Sequence, residues 1–287
     1  MIDFIDAQLA GWPLARENYQ ALGKTERRSM QLGDLTVGIQ HNPARIVSTG
    51  AKTDDKSIGE RPCFLCKENR PPQQTGIEIA DGWELLLNPY PIFPSHFTIV
   101  SKKHQPQDGL PLDMVAMAER LPGHTVFFNG RWSGASCPDH LHCQAVKTRE
   151  LPLMCLIERS HTLDQGRIAT PESLGLDIPF AFKSVIVTPD MEGMAELARI
   201  ETTIGREYIS EGCVNAFVWI DQSGLLRICA VPRRAHRPAR YGTEPDQYLI
   251  SPGCIDIAGV LIAPLKKDFD SLSEEDVRQI YGECAVR

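Results

Sequence analysis

The chain has 287 residues, of which 42% are hydrophobic and 23% are charged, and its formal net charge is −7. This length allows one large domain or two small ones with a buried core, and the acidic balance argues against general nucleic-acid binding by the surface. No apolar run approaches membrane-spanning length, and residues 1–11 lack the basic start of a signal peptide. We therefore expect a cytoplasmic protein that contacts neither nucleic acid nor membrane.

The first sixty residues predict few regular elements. Their apolar spacing predicts a helix over 6–22 and a strand over 34–40. Arg45 follows in a turn that Pro43 marks, and the polar run 51–61 predicts a loop. These residues alone indicate no function.

Cys63 and Cys66 are the only closely spaced pair among nine cysteines. An odd number of scattered cysteines favours reduced thiols over a disulfide framework. Two thiolates separated by two residues can both bind one tetrahedral zinc ion, so the pair indicates half a metal site. A redox pair and two core cysteines are the alternatives that the spacing leaves open.

Two strands are predicted next, over 83–87 and 96–100, and a helix is predicted over 111–121. His104 follows the second strand. A histidine in this position is usually a solvated surface residue. It becomes a candidate metal ligand because the cysteine pair and the histidines further along the chain need another ligand.

The stretch 127–144 carries the strongest signal in the sequence. A β-branched and aromatic strand over 124–128 leads into a loop rich in Gly, Ser and Pro over 129–139, and an alternating strand starts at His140. Because side chains alternate along a strand, His140, His142 and Gln144 project to one face. Three polar groups on one face of an apolar strand require partners, which indicates a ligand or metal site.

The remainder of the chain predicts a second series of strands and helices. The predicted elements are strands over 152–158 and 182–188, a helix that starts at Thr188-Pro189, a hairpin of strands 215–221 and 225–231, and a helix that the capping box Ser271–Glu274 opens and that ends near 285. The cluster Arg233–Arg240 is either a solvated face or an anion-binding wall.

With these pieces together, the chain resembles the transferase branch of the histidine-triad superfamily. That branch contains galactose-1-phosphate uridylyltransferase, diadenosine tetraphosphate phosphorylase and GDP-L-galactose phosphorylase. The resemblance is carried by His140-Leu141-His142-Cys143-Gln144 with Asn129 and Gly134-Ala135-Ser136 before it, by the strand 94–104, and by Cys63-Phe64-Leu65-Cys66 with Asn69-Arg70. Residues 257–269 are similar to the end of the GDP-L-galactose phosphorylases.

The resemblance implies an α+β fold of duplicated histidine-triad-like halves, each an antiparallel sheet with helices packed on one side. Residues 1–165 are expected to form the N-terminal half with the zinc site and the catalytic histidine. Residues 166–287 are expected to form a degenerate C-terminal half, with the connection near 163–178. The resemblance also allows a homodimer, although no stretch of the sequence indicates an interface.

The resemblance further implies the residues of the site. It assigns a structural zinc ion to Cys63, Cys66, His104 and His140. It makes His142 the nucleophile, with Gln144 and Ser136 binding the phosphate oxygens. The expected nucleotide-binding residues are Asn88, Phe127 and Asn129, together with Arg45 and Arg70, which are also candidates for an acceptor phosphate.

These assignments predict a nucleotidyltransferase or phosphorylase. A nucleoside monophosphate passes from a nucleoside diphosphate sugar or a dinucleoside polyphosphate to His142, and then to phosphate or a sugar phosphate. Gln144 favours transfer over hydrolysis because an amide cannot act as a general base for water. The likeness of 257–269 favours guanosine over uridine or adenosine. The alternatives are a catalytically inactive, zinc-stabilised nucleotide-binding protein and a redox protein that uses Cys63 and Cys66.

Overall fold

The computed structural model describes residues 1–162, 165–187, 193–204 and 211–287, with the side chains of 201–204 excluded. The expected helix start at Thr188-Pro189 and the first residues of the expected connection, at 163–164, lie outside this description. Within it, no helix is both long and apolar enough to cross a membrane.

The main element of the fold is an antiparallel sheet of eight strands in the order β3-β4-β5-β7-β6-β9-β10-β8. Its strands are β3 (Gly76–Ala80), β4 (Trp83–Leu87), β5 (His96–Ser101), β6 (His124–Asn129), β7 (His142–Lys147), β8 (Lys183–Val187), β9 (Val214–Ile220) and β10 (Leu226–Pro232). The β6–β9 pairing joins five N-terminal strands to three C-terminal strands. The two series predicted from the sequence therefore share one continuous sheet.

A second sheet has three strands: β1 (Glu26–Leu32), β2 (Leu35–His41) and β11 (Val260–Ala263). β1 and β2 form an antiparallel hairpin, and β11 pairs parallel to β2. The parallel pair brings the C-terminal part of the chain back against its beginning.

The ten described helices are α1 (Ile2–Gly11), α2 (Pro13–Ala21), α3 (Ile46–Thr49), α4 (Asp55–Gly59), α5 (Met114–Arg120), α6 (Pro152–Ser160), α7 (Gly193–Ile204), α8 (Cys254–Ile257), α9 (Lys266–Ser271) and α10 (Glu274–Cys284). Residues of α2, α5 and α7 share one apolar core with one face of the main sheet. The other face shares a core with the three-stranded sheet and with α6, α8, α9 and α10. Each face of the main sheet is thus covered, which explains why its strands, apart from the edge strand β3, are almost continuously buried.

Several sequence predictions need correction. The polar run 51–61, expected to be a loop, contains the short helix α4, which Asp54 caps by accepting from the backbone N–H of Ser57. The expected strand 152–158 is helix α6, in which Pro152 occupies the first turn and the buried apolar residues follow one another too closely to reveal their period. The expected helix 6–22 is two helices, because Pro13 starts α2 after the extended residue Trp12. The capping box belongs to Ser273 and Asp276, and Ser271 instead ends α9.

The α+β class is confirmed by this architecture, and the main sheet is antiparallel throughout, whereas the three-stranded sheet is mixed. The strands predicted over 34–40, 83–87, 96–100, 124–128 and the hairpin 215–231 are present within one or two residues of their predicted bounds. The division into halves at residue 165 stays a prediction.

Candidate active site and metal centre

The four side chains that the sequence indicated as metal ligands lie together. The donor atoms of Cys63, Cys66, His104 and His140 are all within 4.8 Å of one another. Sγ of Cys66 lies 3.2 Å from Nδ1 of His104, and Sγ of Cys63 lies 3.3 Å from Nδ1 of His140. A tetrahedral zinc ion with bonds of about 2.3 Å to sulfur and about 2.0 Å to nitrogen requires sulfur–nitrogen separations of about 3.5 Å. The set fits zinc in number, type and spacing of its donors.

A hydrogen bond fixes the ring of His140 for metal binding. Its Nε2 donates to the backbone carbonyl of Ser101 at 2.8 Å, at the end of β5. Because a neutral imidazole carries one proton, this bond leaves the lone pair of Nδ1 directed at the cysteines. Cys63 and His140 are buried, whereas His104 is exposed, so the centre lies where β5 and the loop before β7 reach the surface.

Cys63 also belongs to a second group of potential ligands, with Cys137 and Asp139. Arg61 occupies this place, because its Nη2 donates to Oδ1 of Asp139 at 2.8 Å and lies 3.8 Å from Sγ of Cys137. The guanidinium neutralises the carboxylate that a cation would need. The second group is therefore an ion pair beside the candidate metal centre, and the hydrogen bond from the Cys137 thiol lowers the pKa of the Cys63 thiol.

His142 is the first residue of β7 and follows the metal-ligand candidate His140 by two residues. Its Nδ1 donates to the backbone carbonyl of His140 at 2.8 Å. Burial lowers the pKa of His142, and a neutral ring with the proton on Nδ1 leaves Nε2 with a free lone pair. His142 lines a cavity, so Nε2 is the nitrogen available to a bound molecule.

Gln144 follows His142 on the same face of β7, and its amide is oriented by His96 on β5. Nδ1 of His96 accepts from the backbone N–H of Ile92 at 3.2 Å, so its proton is on Nε2, which donates to Oε1 of Gln144 at 2.8 Å. Burial, together with the nearby charge of Arg45, lowers the pKa of His96 to about 3. With its carbonyl oxygen engaged by a neutral histidine, Gln144 has its NH₂ group left to donate.

The larger of two adjoining cavities has a volume of about 340 Å³ and contains His142 in its wall. Asn88 lines it, with Nδ2 donating to Oγ1 of Thr98 and Oδ1 accepting from the backbone N–H of Tyr90. The remaining wall is largely apolar and comes from distant parts of the chain: Trp12, Leu14, Val47, Phe64, Leu65 and Pro71. Three of these, Leu14, Val47 and Phe64, are exposed, which is typical of an apolar binding surface.

The smaller cavity has a volume of about 50 Å³ and is lined by Phe127, Asn129 and residues of the C-terminal part of the chain. Arg237 lines it and is anchored by Nη2 donating to the carbonyl of Ala51 at 2.8 Å. His236 lines it as well, and its Nδ1 accepts from the backbone N–H of Gly134 at 3.3 Å. Burial and the neighbouring arginines lower the pKa of His236 to about 4, so the neutral ring has Nε2–H as a donor.

The two cavities form one cleft, because both are lined by Arg45, Ser48, Ala51, Ser136 and Gln144. Arg45 donates from Nη1 to the carbonyl of Tyr90 at 2.7 Å. Burial lowers its pKa to about 10, which leaves the guanidinium charged at neutral pH. The cleft therefore has a cation, a serine and an oriented amide at its centre, within reach of His142.

A close contact holds the loop that carries Ser136. Gly134 has a φ of +96°, and a Cβ at this position would lie 2.4 Å from Cα of Gly253 in the turn before α8. Any side chain here would push the loop away from the C-terminal part of the chain. Together with the bond from its N–H to His236, this contact fixes the Gly134–Ser136 segment between the two cavities.

The structure brings most of the expected site residues to this cleft, but not Arg70. Nη1 of Arg70 donates to Oε2 of Glu84 at 2.6 Å, and Arg70 lines neither cavity. Of the basic cluster 233–240, Arg233 is fully buried and Arg240 pairs with Asp276. Only Arg237 and His236 of that cluster line the cleft.

Sequence reasoning missed several residues of the site. His96 lies on a predicted strand, but nothing in the sequence indicates that it bonds to Gln144, which is 48 residues away. Trp12, between α1 and α2, and Leu14 of α2 line the larger cavity. Gln107 is fully buried and bonds to the backbone of His142. Each of these depends on long-range packing, and no local pattern could have found it.

Residues 4–147 match the model of a family described as a domain of unknown function, DUF4922. The match covers half of the chain and includes the four metal-ligand candidates, His142 and Gln144. No curated protein sequence matches this chain.

Three crystal structures of the yeast Ap4A phosphorylase Apa2 resemble the fold. The complex with Ap4A has a TM-score of 0.62 at 16% identity and covers 95% of this chain and 96% of that chain. Another structure of the enzyme has a TM-score of 0.60 at 16% identity with the same coverage. The complex with AMP has a TM-score of 0.57 at 15% identity and covers 96% of each chain. At such identity the likeness establishes the fold alone, which this chain shares with the yeast enzyme.

Proposed function

This chain belongs to the DUF4922 family, and we propose that it is a nucleotidyltransferase or phosphorylase acting through a covalent nucleotidyl intermediate on His142. The observation that carries the proposal is the hydrogen bond from Nδ1 of His142 to the carbonyl of His140. It leaves Nε2 as a nucleophile in the wall of a cleft that is large enough for a nucleotide.

In the first step, the lone pair of Nε2 forms a bond to the α-phosphorus of a nucleoside diphosphate sugar or a dinucleoside polyphosphate. The bond from this phosphorus to the bridging oxygen breaks, and its electron pair leaves with the sugar phosphate or nucleotide. The ring becomes positively charged, and the carbonyl of His140, which accepts from Nδ1–H, stabilises that charge. The proton stays on Nδ1 throughout, so this step needs no general base.

Charge on the reacting phosphate is stabilised by the centre of the cleft. The NH₂ group of Gln144 and the hydroxyl of Ser136 donate to non-bridging oxygens, and the guanidinium of Arg45 neutralises the charge. Donors that are fixed before the reaction stabilise a phosphoryl transition state more than mobile ones do. The bond from His96 fixes Gln144 in this way.

In the second step, an oxygen of the acceptor attacks the same phosphorus and the electron pair of the P–N bond returns to Nε2. We assign the acceptor to the smaller cavity, because Arg237 and His236 line it and offer a cation and an N–H donor to an anion. A volume of about 50 Å³ favours phosphate over a sugar phosphate. Phosphorolysis is accordingly the leading form of the reaction.

The nucleoside is assigned to the larger cavity. Its apolar wall suits a base, and Asn88, one of the expected nucleotide-binding residues, lines it. Phe127 and Asn129, which the resemblance also assigns to the nucleotide, line the smaller cavity, so they lie closer to the phosphates. Guanosine is the base that we favour over uridine and adenosine, because of the likeness of residues 257–269.

Zinc at Cys63, Cys66, His104 and His140 is proposed as a structural ion. Its donors form a complete set of four, so no position is left for a substrate. When bound, the ion holds the segment before β7 rigid. His140 then presents its side chain to the metal and its carbonyl to His142, which links the stability of the centre to the orientation of the nucleophile.

The experiment is an intact-mass measurement after brief incubation without acceptor. The donors are Ap4A and three nucleoside diphosphate sugars, GDP-glucose, UDP-glucose and ADP-glucose. We expect an added nucleoside monophosphate on the wild-type protein, its loss on adding phosphate, and no adduct on His142→Ala. His161→Ala is the matched control, because this buried histidine lies outside the cleft and its removal should leave the adduct intact.

Binding of nucleotide without any adduct would contradict the proposal. It would favour the alternative, a zinc-stabilised nucleotide-binding protein without activity. Nucleotide binding is measured separately by the rise in melting temperature with AMP, GMP or UMP. The two results together identify the base and the reaction.

A further inference from the structure

Strands β6 and β7 separate just before the residues of the site. Their pairing runs from His124 opposite Lys147 to Phe127 opposite Gln144. Continued by two residues, the same register would put Asn129 directly opposite His142. At this point, however, β6 pairs only with β9 and β7 only with β5.

The side-chain amide of Gln107 fills the place of the missing ladder bonds. Its Oε1 accepts from the backbone N–H of His142 at 2.8 Å. Its Nε2 donates to the backbone carbonyls of His142 and Asn129 at 2.8 and 2.9 Å. Gln107 is 0% exposed, so the acceptor and both donors of this amide are used without water.

We propose that Gln107 is a positioning residue for the reaction, and that it sets the distance and angle between the nucleophile on β7 and the end of β6. This inference rests on the proposed function of His142. Gln107 itself touches neither cavity and acts through the backbone of the two strands.

The position of the His142 ring depends on its own hydrogen bond to His140 and on the backbone hydrogen bonds that Gln107 makes. The hydrogen bond from Nδ1 to the carbonyl of His140 orients the imidazole only relative to the segment 140–142 that carries it. Gln107 orients that segment with respect to Asn129, and Asn129 begins the loop that carries Ser136. The amide of Gln107 thus links the end of β6, which leads into that loop, directly to the backbone of the nucleophile on β7.

The chemistry of this position requires glutamine. Methionine has the same length but neither donors nor an acceptor. An ionised glutamate has only acceptors, so it would place a carboxylate against two carbonyl oxygens. Asparagine is one methylene shorter and would not span the gap from the loop after β5.

The test compares Gln107→Met with Gln105→Met in the full-length, zinc-loaded protein. Gln105 is a matched control because it lies in the same loop, is half-buried, and makes only one long side-chain bond, 3.5 Å to Ser101. We expect Gln107→Met to slow adduct formation at saturating donor by at least about tenfold, since a displacement of about 1 Å can cost about a hundredfold. Binding of the corresponding nucleoside monophosphate should change by less than about threefold.

A second readout does not depend on the donor. In NMR spectra of protein with labelled histidine, the signals of His142 are those that His142→Ala removes. Gln107→Met should shift these signals, whereas Gln105→Met should not. The wild type and these two variants are compared at equal zinc content. A purely structural role would lower the melting temperature without this selective shift.

The outcomes distinguish the positioning role of Gln107 from the proposed function of His142. A wild-type adduct that forms equally fast in Gln107→Met overturns the role of Gln107 and leaves the proposed function standing. A fall in rate matched by an equal fall in nucleotide binding or zinc content also overturns it. If the wild-type protein forms no adduct, the proposed function fails, and unchanged His142 signals in Gln107→Met would then refute the geometric claim on its own.

Discussion

His96 and Gln144 are joined by a hydrogen bond across the β5–β7 pair, in which Nε2–H of the histidine donates to Oε1 of the glutamine at 2.8 Å. The two residues are not directly opposite in the register, since His96 is opposite Val146 and Gln144 is opposite Thr98. The bond is therefore a diagonal contact on one face of the sheet. It determines which end of the Gln144 amide faces the cleft.

Gln144→Glu is predicted to abolish most of the transfer. The carboxylate replaces an NH₂ donor beside a reacting phosphate by a negative charge, and loss of one such oriented donor costs about 10²–10³-fold in rate. The measurement is the rate of adduct formation at saturating donor. Gln31→Glu, on the exposed strand β1, is the control for the added charge. A Gln144→Glu rate within threefold of the wild type would show that the amide does not contact the phosphate.

Acid destabilisation is predicted to depend on His96. Burial and the charge of Arg45 lower the pKa of this histidine to about 3, whereas a histidine in the unfolded chain titrates near 6.5. The unfolded chain thus binds the proton first. The contribution of neutral His96 to stability is fully present above pH 6.5 and is lost as the pH falls from there towards 3.

The measurement is urea unfolding of the wild type and His96→Gln between pH 7 and pH 4.5. Each bound proton changes the free energy of unfolding by about 1.4 kcal/mol per pH unit. The wild-type curve should therefore fall more steeply than that of the variant by up to this amount. Parallel curves would mean that His96 is not the titrating group. The pKa values of His124, His142 and His236 are lowered as well, but these histidines remain in both proteins and do not affect the comparison.

The structure brings the metal-ligand candidates together and places His142 in a cleft, and the sequence could single out most of these residues because their signal is local. Cys63 and Cys66 are spaced for one ion, and the alternation of His140, His142 and Gln144 is that of a strand. The structure keeps this alternation, with Leu141 and Cys143 in the apolar core on the opposite face. A site whose residues lie within a few positions of one another can be predicted even where the neighbouring helices and strands are predicted wrongly.

Other parts of the site could not be predicted, for two physical reasons. The helix α6 has buried residues at Leu153, Met154, Leu156 and Ile157, and so short an apolar run fits a strand as well as a helix. Gln107 and Trp12 have ordinary sequence surroundings, and their roles come from contacts across the fold. Arg70 shows the converse, since a motif-like position is satisfied by a carboxylate away from the cleft.

Removal of zinc is predicted to destabilise the protein without removing its secondary structure. Four ligands from three separate segments lose their common partner, and binding of structural zinc contributes directly to folding. We expect one zinc ion per chain by elemental analysis and a fall in melting temperature of roughly 10 °C after chelation. Cys66→Ser should lower zinc content in the same way.

Cys137→Ser is the matched control for the metal prediction. Cys137 is a buried cysteine beside the centre, with Sγ 4.0 Å from that of Cys63, but it is not part of the four-ligand set. It should retain zinc at one ion per chain. Loss of zinc in Cys137→Ser together with retention in Cys66→Ser would show that the ion uses the other group, Cys63, Cys137 and Asp139.

The last prediction separates two arginines that the sequence treats alike. Arg237 lines the smaller cavity, and Arg70 is paired with Glu84 outside it. Arg237→Ala should therefore leave adduct formation within about threefold of the wild type and slow the discharge of the adduct by phosphate at least about tenfold, because a cation facing the acceptor is lost. Arg70→Ala should leave both steps nearly unchanged and instead lower the free energy of unfolding, because the partly buried carboxylate of Glu84 loses its partner. The measurements are adduct lifetime with phosphate and urea unfolding. Slower discharge in Arg70→Ala than in Arg237→Ala would move the acceptor site away from the smaller cavity.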